Sequence, residues 1–480
     1  MNGSAETPLR VAIVGSGPAG FYAAEALMKP DEPVVEVDMF DRLPTPFGLV
    51  RAGVAPDHPK IKSVIRVYEK TAAREGFRFF GNVDVGRDIT LDQLRERYHA
   101  VVFAYGTSVD RRLGIPGEDL PGSHSATEFV NWYNAHPDFA DREFDLSGER
   151  VVVIGNGNVA ADVTRMLALP REELEETDTA EHAIEALANS GVKEIVVVGR
   201  RGPAQAAFTN PEVRELGELT QADIVIEPEE VELDELSRAW VDSEECEPTN
   251  RRNVEIFTDF SQREPEGKQQ RVVLRFLRSP VEIQGDGRVE RIVLGRNELV
   301  EEDGAIRARD TGERETLECG LVLRSIGYKG VPVQGAPFDE RRGVIPNDAG
   351  RVTDPETGEQ VPGLYVVGWI KRGPSGVIGT NKKDAVETAQ SVLADLEAGK
   401  VSEPPLAADR EATPALLAES APDHVTYEGW EAIDAAEVER GKPLGRPRVK
   451  FCTTEELVAA SRTTGTSSAS RPAVPGATAS

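Results

Sequence analysis

Residues 9–29 read LRVAIVGSGPAGFYAAEALMK, and the fold turns on them. Leu9 to Val14 is a short apolar run with the composition of a buried strand. Gly15-Ser16-Gly17-Pro18-Ala19-Gly20 then fits GxGxxG, and Pro18 to Met28 reads as a helix. A second apolar run, VVEVDMFD, ends at Asp41, about 20 residues beyond Gly20, where a dinucleotide-binding βαβ unit places an acid on a ribose hydroxyl. The glycines permit a tight turn and close backbone approach, and the helix N-terminus meets the pyrophosphate. A lone glycine motif is weak evidence. With a strand before it, a helix after it and an acid at the right distance, it reads as a dinucleotide site.

A second unit follows in ERVVVIGNGNVAADVTRMLA (149–168). Val151 to Ile154 reads as a strand, Gly155-Asn156-Gly157-Asn158-Val159-Ala160 fits GxGxxA, and a helix follows. The next strand comes late, after PREELEETDTAEHAIEALANSG, which reads as a helical insertion. EIVVVGRR then ends in Arg200 and Arg201, where the first unit ends in Asp41. An acid suits a free 2′-hydroxyl, whereas arginine suits a 2′-phosphate through bidentate, charge-assisted bonds. The first unit therefore reads as an FAD site and the second as an NADP site. A basic surface turn is the bland alternative for the arginine pair. Two dinucleotide sites in one chain point to hydride transfer between a nicotinamide and a flavin.

Composition narrows the class. The chain has 480 residues, enough for two or three domains, and a hydrophobic fraction of 39%. No apolar stretch approaches the roughly 18 residues of a membrane span, and MNGSAETPLR lacks a signal-peptide core, so a cytoplasmic protein with no membrane contact is expected. The net charge of −28 argues against nucleic acid. Cys246, Cys319 and Cys452 form no CxxC pair, so redox chemistry must come from a bound cofactor. No metal site is expected.

Further stretches carry a resemblance. PTPFGLVRAGVAPDHPKIKSV (44–64), FGNVDVGRDIT (80–90), GNGNVAADV (155–163), GRRGPAQAAFT (199–209), LRSIGYKG (323–330) and GWIKRGPSGVIGTNKKD (368–384) resemble adrenodoxin-reductase-type ferredoxin–NADP(+) reductases. These belong to the glutathione-reductase superfamily of two-dinucleotide flavoproteins, and the likeness runs in order from about residue 9 to about 458. It implies that Ala19, Asp41, Leu49, Val85, Trp369 and the Gly376-Val377-Ile378 turn line FAD, with Gly15, Gly17 and Gly20 in the loop. It implies that Asn156, Gly157, Asn158, Val159, Arg200, Arg201, Glu212 and Gly376 meet NADP. His58 and Glu215 match residues near the flavin and nicotinamide that tune the hydride step. A monomer is implied, passing a hydride from NADPH to FAD and single electrons to a ferredoxin.

Residue chemistry stands beside this. GPSGVIGTN enters a helix expected over Thr380 to Leu396, whose N–H groups and dipole favour negative charge on a reduced flavin. His58, between Asp57 and Pro59, reads as a loop residue. Glu212 and Glu215 are three apart on an expected helix, hence on one face. Trp369 could be a core aromatic or a ring stacked by the flavin. For the acceptor, Arg51, Lys371, Arg372, Lys382 and Lys383 are candidate docking cations near the flavin motifs, and Arg251–Arg252 is another on the NADP side.

The expected fold is α/β, with two Rossmann-like domains, the NADP domain inserted in the FAD domain. FAD-binding residues 1–108 and 331–397 flank the NADP-binding domain at 109–330, with an extension at 398–458 packed on the core. Residues 221–320 read as acidic and β-rich, with VLRFLRSP and RIVLGR as strands. Residues 459–480 read as a disordered tail. Three other functions stand beside this on sequence: a disulfide reductase of the same superfamily, which the lack of any CxxC pair disfavours, an NADPH oxidase or diaphorase reducing oxygen or quinone, and a non-enzymatic NADP sensor.

Overall fold

The computed structural model describes Ser4 and residues 7–463. Leu9–Val14 sits inside a seven-stranded sheet. It pairs in parallel with Val35–Phe40 on one side and Ala100–Phe103 on the other. Phe77–Phe80 continues the parallel run at one end. At the other end Gln360–Val366 joins Ala100–Phe103 in parallel, so the sheet is built from both ends of the chain. Arg351–Thr353 and Asn347–Asp348 close that edge as antiparallel strands.

The apolar strands follow from burial on both faces. Leu9, Val11 and Ile13 pack into one core, and the alternate residues Ala12 and Val14 into the opposite one. Arg150–Ile154 repeats the pattern in the second sheet. Val151 and Val153 face one core, Val152 and Ile154 the other. Each fully buried side chain of this size contributes roughly 1.5–3 kcal/mol by leaving water.

The second sheet has six strands, and every pairing in it is parallel. A three-stranded antiparallel sheet, Arg278–Gln284, Arg291–Glu302 and Ala305–Glu318, covers one of its faces through Ile283, Ile292 and Leu294. Val109–Asp110 and Tyr328–Lys329, where the chain passes between the sheets, pair antiparallel with each other.

Several expectations are corrected. VLRFLRSP is two strands, because Leu277 adopts φ +52° and turns the chain. Gln270–Arg275 lies in the parallel sheet and Arg278–Gln284 in the antiparallel one. The segment 221–320 also contains the helices Glu235–Asp242 and Pro248–Ser261. The helical insertion is two helices, Arg171–Glu175 and Glu181–Ala188, on either side of half-buried Asp178. Helix Thr454–Ser461 runs past residue 458 and takes residues 459–461 out of the expected tail. Residues 464–480 of that tail lie outside the described residues.

Candidate functional site

The carboxyl ends of the parallel strands in both large sheets open into one cleft of about 2060 Å³. The two glycine loops enter it with the same division of labour. Gly15 has φ +108°, and a Cβ there would lie 2.6 Å from the Tyr105 backbone. Gly155 has φ +136°, and a Cβ there would lie 2.1 Å from the Ser325 carbonyl oxygen. These first glycines therefore let each loop press against the neighbouring strand end. The second glycines do the opposite: a Cβ on Gly17 or Gly157 would meet nothing nearer than 4.0 and 3.9 Å, which leaves backbone open to a ligand. Helices Pro18–Leu27 and Asn158–Ala168 begin at those points, and their free N–H groups suit phosphate.

The strand ends carry the expected contrast. Asp41 Oδ2 accepts from the Ser16 N–H at 2.9 Å and from its hydroxyl at 2.5 Å, and Oδ1 accepts from the Leu43 N–H at 3.0 Å. The carboxylate is thus locked onto the first glycine loop with lone pairs to spare for a hydroxyl. Arg200 is exposed and Arg201 half-buried. Among the described residues neither has a carboxylate within 4.0 Å. Burial and then the neighbouring Arg200 charge depress the Arg201 pKa, as for cations awaiting an anion. Their turn is pinned from the antiparallel sheet: Asn297 Nδ2 donates to the Arg200 carbonyl at 2.8 Å, and the Leu277 N–H to that of Arg201 at 3.1 Å.

Between the sheets lies an ionic network. His58 caps the short helix Pro59–Lys62, and its Nε2 is 3.0 Å from Glu215 Oε2. Its Nδ1 is 3.9 Å from Glu212 Oε1. Glu212 and Glu215 sit on one side of helix Asn210–Leu216, as their spacing requires. Arg165, buried, donates to Asp57 at 2.8 and 3.1 Å, to Glu212 at 2.8 Å and to Asp162 at 2.9 Å. Burial works against the Asp57 charge, but Arg165 holds its carboxyl below the usual range. Asp162 goes the other way: burial pushes it up to about 7, and Arg165 only partly offsets this. The donor atoms of His58, Glu212 and Glu215 lie within 4.8 Å of one another, and both carboxylates also lie against the Arg165 guanidinium, at 2.8 and 3.4 Å.

Comparison with known proteins fits this geometry. Residues 9–207 match the model of the pyridine nucleotide-disulphide oxidoreductase family. The NADPH-ferredoxin reductase FprA of Mycobacterium tuberculosis (strain ATCC 25618 / H37Rv) is 51% identical over 461 residues, 94% of this chain and 98% of that protein. The chain belongs to the NADPH-ferredoxin reductase family. A mitochondrial NADPH:adrenodoxin oxidoreductase of Arabidopsis thaliana is 43% identical over 94% of this chain and 95% of its own length. The solved structure of M. tuberculosis FprA in complex with NADPH superposes with a TM-score of 0.88 at 50% identity, over 95% of this chain and 99% of that one.

For a reductase of this family the cofactors are FAD and NADP(H), and the residues present fit them. Trp369 Nε1 and Thr107 Oγ1 line the cleft, buried, with no hydrogen-bond partner in the protein, so both can serve a polar nucleotide. Ala19, Leu49, Val85, Gly376, Val377 and Ile378 line the same cleft, as do Asn156, Asn158 and Val159. Gly376 has φ +79°, and a Cβ there would come within 2.6 Å of Thr380 Oγ1, at the start of helix Thr380–Glu397.

Two expected site residues stand off the cleft wall. Gly20 packs inward, where a Cβ would lie 2.2 Å from the Gly15 carbonyl oxygen. Glu215 instead faces His58 at 3.0 Å and Arg165 at 3.4 Å. Sequence reasoning missed Asp57, Asp162, Arg165 and Asn297. The signal for two of them was present: Asp162 and Arg165 are charges one turn apart on the helix that starts at the second glycine loop.

The docking candidates are mostly corrected. Arg51 is bound bidentately to Glu437 at 2.9 and 2.6 Å. Lys371 is buried against Asp384 and Glu387, and Arg372 pairs with Asp384. Arg251 is spent on the carbonyls of Val241 and Ser243, and Arg252 on Glu255. Lys382 and Lys383 alone of these are exposed without an acid partner among the described residues.

Proposed function

We propose that this chain moves electrons between NADPH and a ferredoxin, with FAD as its resident cofactor. One observation carries the reading: two glycine loops meet in one cleft, one backed by Asp41 and the other by the unanswered pair Arg200–Arg201. FAD, when bound, supplies the conversion of a two-electron hydride into single electrons.

The protein's share is binding, orientation and charge. The amides around Gly17 and the N-terminus of Pro18–Leu27 hold the flavin nucleotide's pyrophosphate, and Asp41 its ribose. Trp369, Leu49, Val85 and the Gly376–Ile378 turn wall the flavin, and the N-terminus of Thr380–Glu397 stabilises negative charge there. Asn156–Val159 take the NADP pyrophosphate, Arg200 and Arg201 its 2′-phosphate, and Glu212 lies beside the nicotinamide half. Glu215 orients His58 and holds a proton at its Nε2, so the imidazole position is set across the two sheets.

Residues 1–108 and 331–397 are the FAD-binding domain, 109–330 the NADP-binding domain, and 398–458 the extension on the core. The chain works as a monomer, since elements of one chain complete the cleft. Its place is the cytoplasm, in keeping with three cysteines that remain free thiols. The charge of −28 sets it apart from nucleic-acid binders. Among the described residues no helix is long and apolar enough to cross a membrane.

The test is an anaerobic acceptor panel. NADPH-dependent reduction of iron–sulfur proteins well above that of menadione or oxygen is the expected result. Turnover confined to quinone or oxygen would overturn the reading.

A further inference from the structure

In a chain of net charge −28, cations without partners are worth locating. Most arginines and lysines here are held in ion pairs, but a cluster beside the cleft is not. The stretch PKIKSVIRVYEKTAAR (59–74) carries Lys60, Lys62, Arg66, Lys70 and Arg74 against a single acid, Glu69. Lys62 is bound to Asp178. Lys60, Arg66 and Lys70 are exposed, as are Lys382 and Lys383, and among the described residues none of the five has a carboxylate within 4.0 Å.

Packing sets the helices that carry Arg66, Lys70, Lys382 and Lys383 against one common helix, Pro18–Leu27. Lys382 Nζ lies 6.0 Å from the centroid of the Tyr22 ring, and Tyr22 meets Tyr68 edge-on at 5.5 Å. Tyr68 lies on helix Ile65–Ala72 between Arg66 and Lys70, so helix Pro18–Leu27 bridges the two basic segments. Arg74 Nη1 donates to the Met28 carbonyl at 2.7 Å and ties the far ends of those helices together.

The face is also apolar where it reaches the cleft. Ile61 and Val377 line the cleft and are 42% and 58% exposed. Val67 and Val386 extend the exposed apolar surface along the helices that carry Arg66 and Lys382. An apolar centre with a charged rim is the anatomy of a docking surface. Of the nearby acids, Asp384 and Glu387 are both taken by Lys371, and Glu25 and Glu69, partly exposed on the packed helices, are outnumbered by the five cations.

We propose that this face, made by Lys60, Arg66, Lys70, Lys382 and Lys383 around Ile61 and Val377, docks an acidic iron–sulfur protein as electron acceptor. The proposal rests on the ferredoxin-reducing reading above. One NADPH brings two electrons, two such proteins leave with one each, and NADP+ and a proton are released. The chain as a whole is strongly acidic, so a local excess of unpaired cations attracts an acidic partner to this face. Continuity with the cleft puts the landing site beside the cofactor.

The experiment compares the full-length holoenzyme with Arg66→Glu/Lys70→Glu and with Arg307→Glu/Arg309→Glu. The last pair makes the same charge change on the antiparallel sheet. At about 20 mM salt, kcat/KM for an acidic [2Fe–2S] ferredoxin should fall about 10-fold or more in the first variant, mainly through KM. Affinity for that ferredoxin, measured by titration calorimetry, should fall in parallel. The gap should close at roughly 0.5 M salt, and the control should change less than about twofold. NADPH–menadione turnover should be unchanged in both, which shows intact folding. Equal loss in the two variants, or loss that survives high salt, would overturn the docking face. Wild-type protein that reduced menadione but no ferredoxin would overturn the reading beneath it, and the proposal with it.

Discussion

Arg200 and Arg201 are cations that the protein itself leaves unanswered. Replacing either with alanine should raise KM for NADPH about 10- to 100-fold, and replacing both should raise it further, since each charge-assisted contact contributes roughly 1.5–3 kcal/mol. NADH turnover should change little, and steady-state kinetics with both coenzymes checks this. Asp162 gives a second expectation, in stability. Burial lifts its carboxyl from 3.8 to about 7, so the folded protein keeps a proton that the unfolded chain releases between those values. Unfolding free energy therefore falls as pH rises through that window and levels off above it. Asp162→Asn removes this dependence, so its Tm relative to wild type should climb from pH 5 to pH 8; a constant difference would contradict the assignment. Asp41 and the arginine pair were legible because a strand end and a glycine loop fix their positions by counting. Arg165 and Asp57 were not, because their contact joins residues 108 apart through a helix and a loop.

At the scale of elements, the βαβ units were legible because strands buried on both faces write themselves as mainly apolar runs, with Arg10 and Asp38 paired inside the first unit. The break at Leu277 was not, since a leucine at positive φ leaves no compositional mark. Asp178, which divides the helical insertion, was invisible for a similar reason: its partners come from elsewhere in the chain. Burial opposes its charge, but Lys450 and Lys62, at 3.1 and 2.6 Å, hold its carboxyl far below the usual range. Lys450 is itself pushed down to about 7 by burial. This clasp joins residues near His58, the nucleotide-domain insertion and the C-terminal extension. Asp178→Asn would leave two lysines with no counter-charge and should cost about 3–5 kcal/mol in chemical unfolding. Lys450 sheds its proton above about pH 7, so the loss should be larger at pH 6 than at pH 9. A loss independent of pH would show that the clasp is not ionic.

The molecule is organised around two large sheets, one mixed and one parallel, whose parallel strands end at one cleft, with the second sheet inserted between strands of the first. That plan could be read from order alone, because the second glycine loop falls between the first and the GLYVVG strand that completes the first sheet. What order could not show is which cations stay free once ion pairs form: Arg51, Lys371 and Arg372 sit in the right motifs yet are consumed by Glu437, Asp384 and Glu387. The most direct test of the account is an anaerobic titration of the purified protein, followed by its visible spectrum, with NADPH and then with NADH. A yellow protein bleached by about one equivalent of NADPH, and far less readily by NADH, is the expected result. A colourless protein, or one bleached equally by both coenzymes, would contradict it.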